Sequence, residues 1–466
     1  MRSVYSFLML VFQSLGMPLM RLFSPKLKEF VDGRKGWKKH LERFSLSQNG
    51  ETLLSKHSPT PRVAANGETL LSRHSPTPRV AAQAACNRKM KTTESGAPSP
   101  LAWIHAASLG EYEQAVPVIQ ELRERGYQIA VSFYSPSGYR QKSKDKLLDY
   151  VTYLPLDTPG NAKRFVELLQ PDLALFVKYD FWVNFLEALH RSKVPTAFLS
   201  STFRDGMAFD KITGSWMLST LRKVDWFFVQ DEHSIQKLNS WGITQCSVSG
   251  DTRFDRSASI YERDNTLDWL ARWKDDDLLL VIGSSWPADE AVYIPVLKQL
   301  MREHHNLKLL IAPHEIHADQ VDALVKELTQ TQSYSHSVQA GKPIHAATRA
   351  IVMDTIGLLT RAYSYADIAY VGGAMGNTGL HNILEPATFG VPVIIGKHYE
   401  KFPEAAQLRQ LGGLFSVSSE TDLRDTLEPL ITNDTYRQQT GMIAGHWINS
   451  NTGATGIVME WVDSLQ

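Results

Sequence analysis

From Trp103 onward the chain alternates short apolar runs with segments of helical pattern. The first half carries WIHAA (103–107), QIAVSF (128–133), LALFV (173–177), TAFLS (196–200) and WFFVQ (226–230). The second carries LLLVIGS (278–284), LKLLIAP (307–313), AIVM (350–353), IAYVGG (368–373) and VPVIIG (391–396). A run with no polar alternation predicts a strand buried on both faces, and such strands separated by amphipathic segments predict parallel sheets flanked by helices. Two sets therefore predict two doubly wound α/β domains, 99–262 and 263–466, joined through the polar stretch 249–269. Ligands of open α/β sheets bind beyond the carboxyl ends of the strands, so the expected site is a cleft which the two domains face.

The amino end follows another pattern. Ser3 to Met20 contains no charge and is strongly apolar, although Gln13, Gly16 and Pro18 interrupt it. Its length just suffices to span a bilayer, and no clear small-residue cleavage site follows it. Lys26, Lys28, Arg34, Lys35, Lys38, Lys39 and Arg43 come next. Such a basic flank holds the following chain on the cytoplasmic face, and it can meet anionic head groups. Residues 1–44 thus read as a retained membrane anchor, spanning the bilayer or lying in its interface. Residues 49–65 and 66–82 form a tandem repeat differing only at Lys56 and Arg73. Two copies are too few to stack, and Ser, Pro, Thr and Asn leave little to bury, so 45–98 reads as a disordered insertion.

Composition narrows the partners. A length of 466 residues suits two domains with additions. Lysine plus arginine equals aspartate plus glutamate at 49 each, so no global field draws the chain to nucleic acid. Two cysteines, Cys86 and Cys246, give no disulfide framework or cysteine-rich metal site and fit a reducing compartment.

Two stretches carry candidate chemistry. In HAASLGEYEQ (105–114) Ser108 and Glu111 have capping-box spacing at the carboxyl end of the first strand. Gly110 in that turn weakens a helix but admits close approach of a ligand, and Pro117 predicts that the continuous helix begins later than the box implies. At a helix start the dipole favours ionised Glu111, which suits a general base. In GGAMGNTGLHNILEP (372–386) a glycine-rich loop follows a strand and opens into a helix, exposing N–H groups to phosphate. His381, Asn382 and Glu385 adjoin it, yet it is neither a dinucleotide fingerprint nor a P-loop. His314 and His317 in APHEIH lack a third metal ligand, and Asp157 in LPLDTPG reads as turn chemistry.

HAASLGE, FYSPSGY (133–139), LPLDTP (154–159), VSGDTRFD (248–255), GSSWPADE (283–290) and GLHNILEPA (379–387), in this order, resemble the 3-deoxy-D-manno-octulosonic acid (Kdo) transferase family. The resemblance spans the anchor and the chain from about Trp103 onward. It implies a GT-B glycosyltransferase, with acceptor on the amino-terminal domain and CMP-Kdo on the carboxyl-terminal one. It implies metal-independent, inverting transfer of Kdo to the lipid A precursor, lipid IVA, in lipopolysaccharide core synthesis at the cytoplasmic face of the bacterial inner membrane. No cofactor is implied.

By that resemblance Glu111 is the catalytic base and Arg253 stands at the position of the transition-state lysine. Lys178 and Asp180 stand in the family's Glu-x-Glu-x-Trp motif, with Lys178 in place of a carboxylate. CMP contacts fall on Pro313, His314, Ile356, Gly357, Leu358, Gly379, His381, Asn382, Ile383, Leu384 and Glu385. His314 replaces a usual arginine and Leu358 a usual glutamate. Competing readings are a GT-B enzyme using a UDP-sugar and an inactive membrane-tethered sugar-nucleotide-binding module.

Overall fold

The structure is a computed structural model that describes residues 2–48, 99–210, 214–328, 331–334 and 344–465. The tandem repeat lies outside these residues. Contacts divide the chain into one unit of Met1–Thr252 with Gly453–Gln466 and another of Arg253–Thr452. The sequence places the boundary at 262. The returning segment is the helix Ala454–Asp463, whose Val458, Met459 and Val462 join the first unit's core.

The first unit is built on a sheet of seven described strands: β1 (Leu101–Ala106), β2 (Gln128–Phe133), β3 (Tyr150–Tyr153), β4 (Leu173–Val177), β5 (Thr196–Ser201), β6 (Trp226–Val229) and β7 (Cys246–Val248). They pair in parallel in the order β3-β2-β1-β4-β5-β6-β7. β1, β2, β4 and β5 are buried throughout, as their unbroken apolar runs require.

The second unit repeats the plan with β8 (Leu278–Ser285), β9 (Leu307–Pro313), β10 (Thr331–Tyr334), β11 (Ala350–Met353), β12 (Ile368–Val371), β13 (Val393–Ile395) and β14 (Leu414–Ser416). Their order is β10-β11-β9-β8-β12-β13-β14, again parallel. In the first sheet the chain winds outward from β1 in both directions; in the second it starts at β8 and does likewise, except that β11 comes back inside the edge strand β10. The crevices where direction reverses, between β1 and β4 and between β8 and β12, are topological switch points, where ligands bind in this class of sheet.

The amino-terminal apolar segment is helical through Met20, with a π-turn at Phe12–Gly16. Pro18 has no N–H to offer, and the ladder widens just before it, Met17 N–H reaching back to Phe12 O. A polar stripe docks the helix on the first unit. Tyr5 donates to Asp157 at 2.8 Å, Ser6 to Asn184 at 3.0 Å, and Asn161 donates to Gln13 at 3.2 Å. Val4, Phe7, Leu8, Leu15, Leu19, Leu22 and Phe23 remain exposed. The segment therefore has one face for protein and one for an apolar medium.

Asp157 does more than shape a turn. It is fully buried and accepts the backbone N–H of Asn184 and Phe185 at 3.1 Å, capping the helix Val183–Arg191 from a distant loop. Burial pushes its carboxyl up to about 6, against the lowering effect of these hydrogen bonds. The folded chain thus holds this proton more tightly than the unfolded chain, whose aspartates titrate near ~4. Its contribution to stability declines as pH rises from ~4 to about 6 and is constant above. Asp157→Asn is expected to remove that slope. Asp157→Ala, which orphans buried donors, is expected to lower stability by ~2–4 kcal/mol. Thermal unfolding of both variants across pH 4–8 measures the two effects, and an unchanged slope in Asp157→Asn refutes the assignment.

Candidate functional site

In the first unit the switch point gathers residues from the ends of β1 and β4. The chain leaves β1 at Ala106 and starts the helix Leu109–Glu124 with Ser108 as N-cap. Glu111 Oε2 accepts N–H from Ala107 at 2.5 Å and Ser108 at 3.2 Å, while Ser108 Oγ accepts Glu111 N–H at 3.4 Å. The capping box is complete. The helix runs unbroken through Pro117, contrary to the later start that proline predicts. A side chain at Gly110 would meet open space, so the turn is accessible on that side.

After β4, Lys178 takes a left-handed φ of 63°, pinned by its N–H on Leu199 O at 2.8 Å. A non-glycine residue held there bends the chain sharply, which is common where function fixes a loop. Burial raises the Glu111 carboxyl above its usual range, and nearby Asp180 raises it further. The Ala107 N–H and the charges of Lys178 and His105 oppose this. The helix-start dipole, on which the sequence reading rests, is thus outweighed by desolvation. The outcome is a carboxylate more basic than an exposed one, held half-buried at the carboxyl end of β1.

A histidine that sequence reasoning gave no role underlies this group. His105 is fully buried on β1, with Nδ1 2.8 Å from Ser132 Oγ and Nε2 3.1 Å from Asp180 Oδ2 and 3.0 Å from the Trp182 indole nitrogen. Ser132 also accepts from Trp103 at 2.8 Å. A histidine inside a strand of otherwise apolar, inward residues was the available signal.

The second unit's switch point is organised by an aspartate also missed in the sequence. β8 ends with a bulge and with Ser284 at φ 55°, bringing Trp286 to the start of the helix Pro287–Glu303. In the first turn of that helix, Asp289 is fully buried and accepts Trp286 N–H at 3.0 Å, Gly373 N–H at 2.9 Å and Tyr370 O–H at 3.0 Å. One carboxylate thereby joins this helix to the glycine-rich loop after β12. Gly373 stands at φ 94°, and a Cβ there would lie 2.1 Å from Gly379 O. Only glycine fits.

His314, just past β9, stacks on Trp286 with ring centroids 4.5 Å apart and lies 4.3 Å from the His381 ring. Trp286 Nε1 donates to His381 Nε2 at 3.1 Å. An indole can only donate, so this histidine nitrogen carries no proton. Burial, then the neighbouring His314, lower the His381 pKa to about 4. His317 pairs instead with Glu315 at 3.1 Å, so APHEIH does not turn its two histidines to one centre.

The remaining carried-over positions divide. Asn382 donates to Glu385 at 3.1 Å, Glu385 accepts Thr360 O–H at 2.7 Å, and Asn382 accepts Leu384 N–H at 3.1 Å, forming one polar group. Ile383 and Leu384 are buried in the core, leaving their backbone for contact. Gly379 is at φ 97° and Gly357 at φ 94°. Ile356 is 90% exposed, whereas Leu358 is 7% exposed and packs in the core. The Leu358 side chain has no path to a ligand. Pro313 closes β9, and Arg253 forms an ion pair with Glu404 at 2.9 Å.

Residues 81–256 match the family described as 3-Deoxy-D-manno-octulosonic-acid transferase (kdotransferase). The chain is 27% identical to a 3-deoxy-D-manno-octulosonic acid transferase of Haemophilus influenzae, over 76% of this chain and 84% of the relative. It is 26% identical to that of Aquifex aeolicus, over 71% and 86%. A UDP-GlcNAc 2-epimerase structure from Neisseria meningitidis superimposes with a TM-score of 0.55 at 14% identity, covering 78% of this chain and all of the other, and so shares the two-Rossmann GT-B architecture. The family match thus falls on the first unit, which carries Glu111, and over most of its length the chain is similar to 3-deoxy-D-manno-octulosonic acid transferases, which are glycosyltransferases.

Proposed function

We propose that the protein transfers Kdo from CMP-Kdo to a hydroxyl of the lipid A precursor, lipid IVA, with inversion and without a metal. The observation that carries the reading is Glu111, a carboxylate of raised basicity fixed by two N–H groups at the first unit's switch point. Glu111 removes the proton of the acceptor hydroxyl while that oxygen attacks the anomeric carbon of Kdo. The bond from that carbon to the CMP phosphate oxygen breaks, and CMP leaves with the electron pair. Holding the base in place supplies ~10²–10⁴-fold. Lys178 and Arg253 oppose the negative charge that develops, and Asp180 tunes Glu111.

On the donor side the backbone of Gly372–Gly379, together with Pro313, His314, Gly357 and His381, receives CMP. Asn382 and Glu385 offer a polar group suited to ribose or base edges, and Ile356 lies exposed beside Gly357. Cationic side chains and backbone N–H groups in a desolvated site can stabilise a phosphate leaving group, which supports a route without a metal.

The anchor helix supports an acceptor held at a membrane. A polar stripe bound to the first unit favours a helix lying in the interface over one crossing the bilayer, and the basic flank favours the cytoplasmic leaflet of the inner membrane.

The test is product formation by the full chain in detergent, with lipid IVA as acceptor and CMP-Kdo or UDP-GlcNAc as donor, read by mass spectrometry. Kdo-bearing lipid with CMP-Kdo alone is the expected result. Turnover of UDP-GlcNAc instead overturns the donor assignment. Binding of CMP-Kdo without any turnover leaves the inactive-module reading in its place.

A further inference from the structure

Against the amino-terminal segment lies a cavity of about 360 Å³ that the transfer reaction does not use. Met17, Leu22, Val31, Trp37 and Leu156 give it apolar walls. Its lining also contains Arg21, Arg34 and Lys35, and no carboxylate. Arg21 and Lys35 share Asp32, at 3.1 and 2.7 Å.

Arg34 is unlike the solvated flank that the sequence suggests. It is 6% exposed and donates to three carbonyls, Leu154 O at 3.0 Å, Phe30 O at 2.9 Å and Tyr134 O at 2.7 Å, with its guanidinium 3.7 Å above the Phe30 ring. Among the described residues no carboxylate pairs with it. A guanidinium taken from water without a counter-charge is costly, and an anion beside it recovers part of that cost.

Leu22 decides which anion. It walls the cavity and is also 80% exposed, continuous with the apolar face of Phe7, Leu8, Leu15 and Leu19. The cavity therefore adjoins the surface offered to hydrocarbon, with cations in its lining. A soluble anion would leave the apolar walls unfilled, whereas a zwitterionic lipid would bring no net charge. An amphiphile with one apolar chain and an anionic head satisfies both parts.

We propose that this cavity binds one anionic phospholipid of the bilayer, an acyl chain lying against Met17, Val31 and Leu156 and its phosphate facing Arg21, Arg34 and Lys35, three cations of the lining that Asp32 alone does not neutralise. The site stands apart from the transfer reading. It adds specific retention of a lipid to the general attraction of a basic surface.

Native mass spectrometry of the full chain in neutral detergent, with dioleoylphosphatidylglycerol or dioleoylphosphatidylcholine, tests it. One phosphatidylglycerol should be retained, with roughly tenfold preference over phosphatidylcholine, the size expected from one or two basic side chains at an anionic head group. Arg21→Gln with Lys35→Gln should abolish the preference. Val31→Trp, which fills the cavity, should abolish retention while flotation with vesicles persists. Leu22→Glu, on an exposed side chain, should do the same should Val31→Trp fail to fold. Equal retention of both lipids, unchanged retention in Leu22→Glu, or displacement by sn-glycerol 1-phosphate alone overturns the proposal. Tighter, competitive binding of lipid IVA overturns it in favour of an acceptor subsite.

Discussion

Glu111→Gln is expected to lower Kdo turnover by ~10²–10⁴-fold while leaving the melting temperature nearly unchanged. The distinction matters because Glu111 also completes a capping box, and a purely structural role would look similar in a cruder test. Glutamine serves a capping box as well as glutamate does, since its carbonyl oxygen accepts the same N–H groups. It cannot remove a proton from a hydroxyl. A cap alone thus predicts normal turnover in Glu111→Gln, and a base predicts its loss. The pH profile gives a second readout. Burial and Asp180 raise the Glu111 pKa, and a general base works only when ionised. In the wild type kcat should therefore fall with acidity from a point above the usual carboxylate range of ~4. Asp180→Asn, by removing the neighbouring charge, should move that limb to lower pH. An acid limb unmoved by Asp180→Asn, or turnover retained in Glu111→Gln, excludes this base.

How much of this was legible in the sequence follows from what each residue is asked to do. All ten apolar runs became strands, because a strand buried on both faces favours apolar side chains and admits a polar one only with a buried partner, as His105 has in Ser132. β3, β7, β10 and β14 were not read. They are three or four residues long, and β7 is only half-buried, so they lack the unbroken apolar run that marks the others. Sheet order was also beyond the sequence, and it is the order that brings the ends of β1 and β4 together, and with them Glu111 and Asp180.

The polar residues that organise the two units were less legible, because their partners are remote in the chain. Asp157 sits among prolines and looks like a turn residue until Asn184 and Phe185 arrive from one helix and Tyr5 from another. Arg34 sits in a basic run, yet folding buries it against carbonyls of Leu154 and Tyr134. Gln13 seemed to spoil an apolar helix and instead belongs to its protein-facing stripe. Leu358 shows the opposite limit: its position resembles that of a ligand-binding residue, but an apolar side chain there turns into the core.

Asp289→Ala should destabilise the second unit by ~3–5 kcal/mol, seen as a fall of ~6–20 °C in its calorimetric transition. Each of its three partners is a donor, two on the backbone and one on buried Tyr370, and alanine offers none of them an acceptor. Water cannot readily replace the carboxylate, for Asp289 is fully buried. Asp289→Asn should cost much less, ~1 kcal/mol. Its remaining oxygen can accept the N–H groups of Trp286 and Gly373, which share one carboxylate oxygen, and the Tyr370 hydroxyl can turn to accept from the new amide. The ordering Ala far below Asn is the signature of orphaned donors, as opposed to lost charge. The same bond fixes Gly373 in a conformation that only glycine holds easily, so its loss should also raise the hydrogen-exchange rate of the Gly373 amide. Should Asp289→Ala and Asp289→Asn melt together, the carboxylate matters by its charge alone, and the glycine-rich loop owes its shape to the close approach of Gly373 and Gly379 instead.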